Sequence, residues 1–112
     1  MLPEDDLSES RVSPSKLHRD FIARLGCVVG KRGFTCAGGV QLHHVAEGSG
    51  LRSDWALVPL CHEHHEGQAG LHGMGPKAFI RLYRPPGDSE YGLLVWMLED
   101  MALVRSHYGL PA

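Results

Sequence analysis

Residues 40–66 read VQLHHVAEGSGLRSDWALVPLCHEHHE, and this stretch decides the fold. Residues 40–45 alternate well enough for a β-strand, and a glycine-containing turn follows at residues 47–50. Residues 55–60 form a second apolar run, and residues 61–66 can begin a short helix. The stretch therefore predicts the order strand, loop, strand, helix, which is the pattern of an α+β fold.

A helix is predicted upstream of this stretch. Ser13 is a suitable N-cap residue, Pro14 suits the first helical position, and Gly26 supplies an end. Between these positions three large apolar residues recur at four-residue spacing, and we expect them to face the core. They are Leu17, Phe21 and Leu25.

Two further helices are predicted downstream. Pro76 can open one that runs to about Tyr83, with a buried side formed by Ala78, Phe79 and Leu82. Residues 84–89 form a clear break, and a long terminal helix then continues to Gly109. Its apolar face is expected to pack on the core, and a dimer contact is the alternative. That face comprises Tyr91, Leu94, Val95, Leu98, Met101, Ala102 and Val104.

Length and charge favour one small domain. Residues 1–12 are acidic and short of large apolar side chains, so we expect a mobile tail there and a single domain over residues 13–112. The net charge of -2 gives no sign of a basic DNA-binding surface. However, four of the 13 acids lie in the first ten residues, so the rest of the chain is slightly basic.

Cysteine use and hydropathy predict the compartment. Three cysteines do not form an even set of disulfides, and the chain has no charged-then-apolar secretory start. No apolar run approaches the roughly 20 residues that cross a bilayer. We therefore expect a protein of the reducing cytoplasm with no membrane partner.

Six of the eight histidines lie between His43 and His72. Imidazole is the commonest protein ligand for divalent metals and also the side chain best suited to move a proton near neutral pH. This clustering indicates a protein built around metal. The donors suffice for two separate sites, one structural and one catalytic.

The first candidate site is catalytic. Neighbouring residues at a strand end point in opposite directions, so one of His43 and His44 could bind a metal while the other takes a proton from water. His65, on the following helix, is placed to complete the metal site, and His72 is a further candidate ligand. Such a site suits hydrolysis of phosphodiesters.

The second candidate site is a structural zinc. The two-residue gap between Cys61 and His64 suits tetrahedral Zn²⁺, and Cys27 and Cys36 supply two more donors. His64 and His65 would then face different ions, because adjacent residues on a helix are separated by about 100°.

Four stretches between Phe21 and Tyr83 carry a resemblance: FIARLGCVVGKRG, QLHHV, SDWALVPLCHEHHEG and GLHGMGPKAFIRLY. Together they resemble the recombination-enhancement (Ref) nucleases of phages and prophages, in the HNH, or ββα-metal, endonuclease superfamily. The resemblance implies that His43 binds the catalytic metal, that His44 is the general base, and that His65 is the third histidine of the motif. It places Asp54 at the middle position, where it would orient the base or its loop.

The sequence departs from this family pattern in one place. The zinc knuckle of such proteins usually has Cys-x-x-Cys, whereas here Cys27 is followed by Val-Val-Gly, so that Gly30 stands where the second thiolate is expected. Cys36 is the obvious substitute. The glycines between them allow the tight turning that this requires.

Three other histidines are not expected to bind metal. His18 and His107 are expected to be surface or core residues, and His62 is expected to point away from His65. The glycines of residues 67–75 lack the Gly-Lys-Ser/Thr ending of a nucleotide-binding loop, so they predict tight connections. Six basic residues flank the motif and are candidates for contacts to the DNA backbone. They are Lys31, Arg32, Arg52, Lys77, Arg81 and Arg84.

The sequence thus predicts an α+β fold with a ββα-metal unit, a zinc knuckle and flanking helices. The expected function is metal-dependent endonucleolytic cleavage of DNA in phage or prophage recombination or DNA processing, with structural Zn²⁺ and catalytic Mg²⁺, Mn²⁺ or Zn²⁺. DNA is the expected partner, and the resemblance adds a recombinase filament. One alternative is a zinc-stabilised DNA- or protein-binding module without turnover, and another is a metallohydrolase of small molecules.

Overall fold

A computed structural model of the protein describes residues 13–46 and 52–109. The predicted tail at residues 1–12 and the predicted turn at residues 47–50 lie outside these ranges. The described residues contain a two-stranded sheet and five α-helices, so the predicted α+β class is confirmed. Within these ranges no helix combines the length and the apolar character needed to cross a membrane.

The sheet is an antiparallel ribbon of β1 (Val40–His44) and β2 (Leu57–Cys61). His44 is paired with Leu57 in the register, and Leu42 with Pro59. The Pro59 carbonyl accepts a hydrogen bond from the backbone N–H of Val28 at 3.0 Å, so this residue turns its backbone groups away from β1. A proline is tolerated there because the ladder needs no N–H from it.

Helix α1 (Pro14–Leu25) forms as predicted, and the Ser13 hydroxyl accepts a hydrogen bond from the Lys16 N–H at 3.2 Å. It packs on both strands through Ile22 and Leu25. The prediction that three residues of this helix face the core is wrong for two of them, because Leu17 is 59% exposed and Phe21 is 37% exposed. Because residues 21 and 22 are both apolar, the sequence does not determine which of them faces the core. In the structure Ile22 faces the sheet.

Two very short helices follow β2. Cys61 ends the strand and caps α2 (His62–His65), its sulfur accepting a hydrogen bond from the His64 N–H at 3.4 Å. His72, expected in a glycine-rich loop, lies instead on α3 (Leu71–Met74). The glycines form tight connections as predicted. The backbone at Gly73 passes so close to Gly67 that a Cβ atom at Gly73 would overlap the Gly67 carbonyl group.

Helix α4 (Pro76–Tyr83) has the predicted bounds but a different buried side. Phe79 and Tyr83 are buried, whereas Leu82, predicted to be buried, is 53% exposed. The Tyr83 hydroxyl donates a hydrogen bond to the Ala69 carbonyl at 2.9 Å. The hydroxyl of Tyr83 thus has a partner although its ring is buried. The apolar pattern of the helix did not predict burial at this position.

Helix α5 (Gly92–His107) is also rotated relative to the prediction. Its inner face includes Trp96 and Asp100, while Leu98 of the predicted face is 58% exposed. Arg32 contacts this inner face, donating to the Asp100 carboxylate at 2.8 Å and to the Trp96 carbonyl at 3.1 Å. Tyr91, Val95 and Ala102 of the predicted face are likewise exposed, whereas Leu94, Met101 and Val104 are partly buried.

Candidate active site and metal centre

Three sulfurs and one imidazole converge where the loop after α1, the end of β2 and helix α2 meet. One donor atom from each of Cys27, Cys36, Cys61 and His64 lies within 4.8 Å of the others. The distances from the His64 Nδ1 atom to the sulfurs of Cys27, Cys36 and Cys61 are 3.5, 3.7 and 3.1 Å. These are the four residues predicted to form the structural site.

The donor set fits a tetrahedral metal. With Zn–S near 2.3 Å and Zn–N near 2.05 Å, a tetrahedral site has S···N edges of about 3.6 Å. The three S···N distances lie around this value. The Cys3His group therefore suggests a structural metal such as zinc, which would join the ribbon and α2 to the loop after α1.

The pKa values in this cluster reflect the crowding of its sulfurs. Burial, a hydrogen bond with Cys61 and repulsion from Cys27 raise the pKa of the Cys36 thiol to about 12. In Cys61 burial acts in the same direction, but hydrogen bonds from the backbone N–H groups of His64 and Ala37 outweigh it, so its pKa is lowered. Burial lowers the pKa of His64. A divalent cation would offset the repulsion between these sulfurs, favour their thiolate forms and bind the neutral imidazole.

A second cluster consists of three imidazoles. One nitrogen from each of His43, His65 and His72 lies within 4.8 Å of the others. The ring centroids are 5.3 Å apart for His43 and His65, 5.2 Å for His43 and His72, and 4.7 Å for His65 and His72. The three residues come from β1, α2 and α3, so the cluster forms only when these elements pack together.

His65 is oriented by a residue of the neighbouring strand. Its Nδ1 atom lies 2.8 Å from the Oε1 atom of Gln41, so an Nδ1–H donates there and Nε2 keeps its lone pair. Burial lowers the pKa of His65, and the nearby His43 and His72 lower it further. A neutral imidazole is the form that binds a metal.

His44 lies outside the imidazole cluster and pairs with Asp54. Its Nε2 atom lies 3.1 Å from the Asp54 Oδ1 atom, and both side chains are partly exposed. The carboxylate accepts from Nε2–H, which leaves the Nδ1 atom of His44 with a lone pair. A histidine held in this way is chemically able to accept a proton through Nδ1.

The imidazole cluster and His44 share one cleft. A cavity of about 190 Å³ is lined by Leu42, His43, His44, Arg52, His65 and His72. A candidate base, three imidazoles that could hold a metal and a guanidinium that suits a phosphate thus open onto the same small space.

A comparison with protein families decides the family. The family model described as "Recombination enhancement, RecA-dependent nuclease" matches residues 14–101. The chain belongs to this family. Neither the curated proteins nor the solved structures searched contain a match.

The recombination-enhancement match confirms the resemblance seen in the sequence. The matched residues run from α1 into α5 and include both clusters, His44 and Asp54. Membership of this nuclease family supports a role in recombination.

The structure also answers the question raised by the missing second cysteine of the knuckle. A Cβ atom built at Gly30 would overlap the sulfur of Cys36, so the absence of a side chain at Gly30 leaves room for that sulfur. The Gly30 N–H donates to the Cys27 sulfur at 3.4 Å. Cys36 thus lies where the expected knuckle cysteine would have placed its side chain.

Two polar residues near the imidazoles were missed in the sequence analysis. Gln41 precedes His43 by two residues and so lies on the same face of β1, a signal that strand alternation offered. Glu90 lies 47 positions from His43, and its Oε1 atom is 2.5 Å from the His43 Nε2 atom. No local pattern connects these two residues.

The remaining histidines and one arginine lie elsewhere. His62 is exposed, with its Nδ1 atom 3.4 Å from the Gln41 side-chain nitrogen, and His107 is exposed beside Tyr108. His18 is half-buried against Trp55, with ring centroids 4.8 Å apart. None of the three belongs to either donor cluster among the described residues. Arg32, a candidate for DNA contact, is engaged with α5.

Proposed function

We propose that this protein is a metal-dependent DNA endonuclease of the HNH type. The observation that carries the proposal is the position of the His44–Asp54 pair beside three converging imidazoles in one cleft. A phosphodiesterase needs a base for water and positive charge at the phosphate, and these groups supply the first and suit the second.

The ββα-metal unit of this proposal consists of β1, β2 and α2. His43 and His44 end the first strand, and His65 ends the helix that follows the second strand. The antiparallel pairing of the two strands and the contacts of α2 with both of them support this assignment. We propose further that residues 13–112 act as one nuclease domain.

In the proposed reaction, the Nδ1 atom of His44 accepts a proton from the attacking water. Asp54 keeps the other ring proton on Nε2 and stabilises the imidazolium that forms. His43, His65 and His72 would hold a divalent cation. Such a cation, when bound, supplies positive charge to the phosphate and the leaving 3′ oxygen.

The proposed ions differ between the two sites. Three thiolates and one imidazole suit structural Zn²⁺ in the Cys3His cluster. Three imidazoles favour Zn²⁺ or Mn²⁺ over Mg²⁺ on softness, although Mg²⁺ is a working ion worth testing because it is abundant in cells. Thiolates of this kind persist in a reducing compartment, so we propose that the protein acts in the cytoplasm.

A basic groove supports DNA as the substrate. Lys77, Arg81 and Arg84 are exposed and line adjoining cavities along α4, where Arg84 also pairs with Asp88 at 3.7 Å. One of these cavities, of about 600 Å³, also reaches Glu90, whose side chain contacts His43 of the imidazole cluster. A DNA backbone along this groove would continue towards the cleft that Arg52 lines.

The recombination role extends this proposal to a partner. The family description names RecA dependence, and we propose that this chain also cleaves DNA held in a recombinase filament, in phage or prophage recombination. Nicking assays with and without filament-coated DNA would test that step separately from cleavage itself.

The experiment that tests the function is nicking of plasmid DNA by the wild type and by His44→Ala in Mg²⁺ or Mn²⁺, with and without the filament. Loss of the base should lower the rate by about 10²–10⁴-fold while fold and metal content are kept. His107→Ala is the matched control, because it removes an exposed histidine outside both clusters, beside Tyr108 on α5. Equal nicking by the wild type and His44→Ala would point to a contaminant or a misassigned base.

A second candidate is a zinc-stabilised binding module without turnover. The Cys3His cluster favours it, since a structural metal there would stabilise the fold without requiring catalysis. Absence of nicking under all these conditions, together with retained DNA binding, would support this alternative.

A further inference from the structure

The closest polar contact of the imidazole cluster is made by a residue outside the motif. Glu90 and His43 are both buried, and the Glu90 Oε1 atom lies 2.5 Å from the His43 Nε2 atom. A buried carboxylate is costly unless it is paired and hydrogen-bonded, so this contact is expected to have a specific role.

We propose that Glu90 is a positioning residue for the catalytic cation. Its carboxylate accepts a hydrogen bond from the Nε2–H of His43, and this fixes the tautomer in which the Nδ1 atom carries the lone pair. Nδ1 is then the atom that His43 contributes to the cluster with His65 and His72. This inference deepens the proposed function and rests on it.

The same arrangement occurs at the neighbouring ligand candidate. Gln41 accepts a hydrogen bond from the Nδ1–H of His65, so the Nε2 atom of His65 keeps its lone pair. Glu90 would accept from the Nε2–H of His43, so the Nδ1 atom of His43 would keep its lone pair. Metal-binding histidines commonly donate their second N–H to a carboxylate or carbonyl, which orients the ring and raises its basicity. Two of the three imidazoles here have such an acceptor.

Glu90 is placed to orient a ligand rather than to be one. The group of side chains whose donor atoms all approach within 4.8 Å consists of His43, His65 and His72, and it does not include Glu90. The Glu90 carboxylate contacts His43 but does not come within 4.8 Å of the whole set of donor nitrogens. Its negative charge would still favour a cation bound through that ring.

The segment that carries Glu90 is held firmly. The Glu90 carbonyl accepts from the Leu93 N–H at 3.0 Å, at the start of α5. Gly92 lies so close to Pro86 that a Cβ atom there would overlap the Pro86 carbonyl oxygen. A carboxylate on such a support can fix the direction of an imidazole ring.

The test is titration of Mn²⁺ alone, by calorimetry, into protein loaded with one equivalent of Zn²⁺, which the thiolates of the Cys3His cluster take in preference to the three imidazoles. The wild type, Glu90→Ala and Glu90→Gln are compared. In Glu90→Ala the affinity of the second site should fall by about 10–100-fold, the usual effect of losing such an acceptor, while zinc content stays at the wild-type value. Glu90→Gln should recover most of the affinity, because its amide oxygen can still accept from Nε2–H. Imidazole ¹⁵N spectra should show His43 protonated at Nε2 in the wild type and in Glu90→Gln.

Asp100→Asn is the matched control, because Asp100 is a buried acid that pairs with Arg32 and belongs to neither donor cluster. It should lower stability and leave Mn²⁺ affinity unchanged. The inference is overturned if Glu90→Ala binds Mn²⁺ as tightly as the wild type. It is also overturned if Glu90→Gln binds as weakly as Glu90→Ala, since the carboxylate would then be a ligand itself. A wild type that binds no Mn²⁺ would refute the proposed metal dependence along with the inference.

Discussion

The sulfur of Cys36 lies in the space that a side chain at Gly30 would occupy. The two positions are therefore complementary. The sequence has no cysteine at position 30, but the sulfur of Cys36 lies in the place that a side chain at position 30 would take. A family-level pattern that checks only for Cys-x-x-Cys would miss this site.

Gly30→Ala should displace the Cys36 sulfur. Overpacking of this kind costs about 1–3 kcal/mol, and we expect a loss of that size in the free energy of unfolding together with weaker zinc retention against a chelator. Gly39→Ala is the control, because no atom lies within 4 Å of the Cβ atom that it adds. Equal zinc retention in the two variants would contradict the relationship.

The double variant Gly30→Cys with Cys36→Ala tests the same relationship in the opposite direction. It restores Cys-x-x-Cys from Cys27 and removes the substitute sulfur. We expect zinc binding to recover relative to Cys36→Ala alone, as measured by zinc content after dialysis. No recovery would show that Cys36 does not stand in for the missing cysteine.

Asp54 should act through His44. Asp54→Asn should lower the nicking rate, because an amide nitrogen turned to His44 would favour protonation at Nδ1, the atom that must accept the proton from water. We expect a loss of about 10²-fold, with Mn²⁺ affinity unchanged. A loss of metal binding in this variant would instead place Asp54 among the ligands.

The basic groove along α4 should contribute to DNA affinity. Lys77→Glu and Arg81→Glu should each weaken binding of a labelled DNA duplex. The logarithm of the association constant falls linearly with the logarithm of the salt concentration, and each lost phosphate contact should make this slope shallower by about 0.9. Lys16→Glu is the control, because Lys16 is paired with Asp20 on α1 and lines none of the cavities along α4. Fluorescence anisotropy without added divalent metal measures binding without cleavage.

Arg32 should stabilise the fold rather than bind DNA. Its side chain is 20% exposed, and it pairs with the buried carboxylate of Asp100. Arg32→Ala leaves that charge without this partner, so we expect a loss of about 3 kcal/mol in urea unfolding of the zinc-loaded protein. DNA affinity per folded molecule should stay at the wild-type value, and a large fall there would restore Arg32 as a DNA contact.

The ribbon was predictable because its pattern is local, whereas the two donor groups were predicted from residue type, spacing and the family resemblance. Strand alternation separates His43 from His44, and the 100° step of a helix separates His64 from His65. The donor types then indicate which ion each group suits.

The buried faces of the helices were not predictable in the same way. Apolar residues at successive positions in α1 and α5 fix a helical period but not its phase, and the inner face of α5 includes Asp100, which pairs with the distant Arg32. Glu90 was missed for the same reason, since its partner His43 is 47 residues away. Long-range polar contacts of this kind leave no pattern in a single sequence.

Metal analysis of the purified protein tests the central claim most directly. We predict two ions per chain after loading with Zn²⁺ and Mn²⁺, and one ion per chain in a His43→Ala, His65→Ala double variant that remains folded. Nicking should disappear with the second ion. A wild type that holds a single ion yet nicks DNA at the full rate would contradict the account, because the three imidazoles would then have no cation to hold.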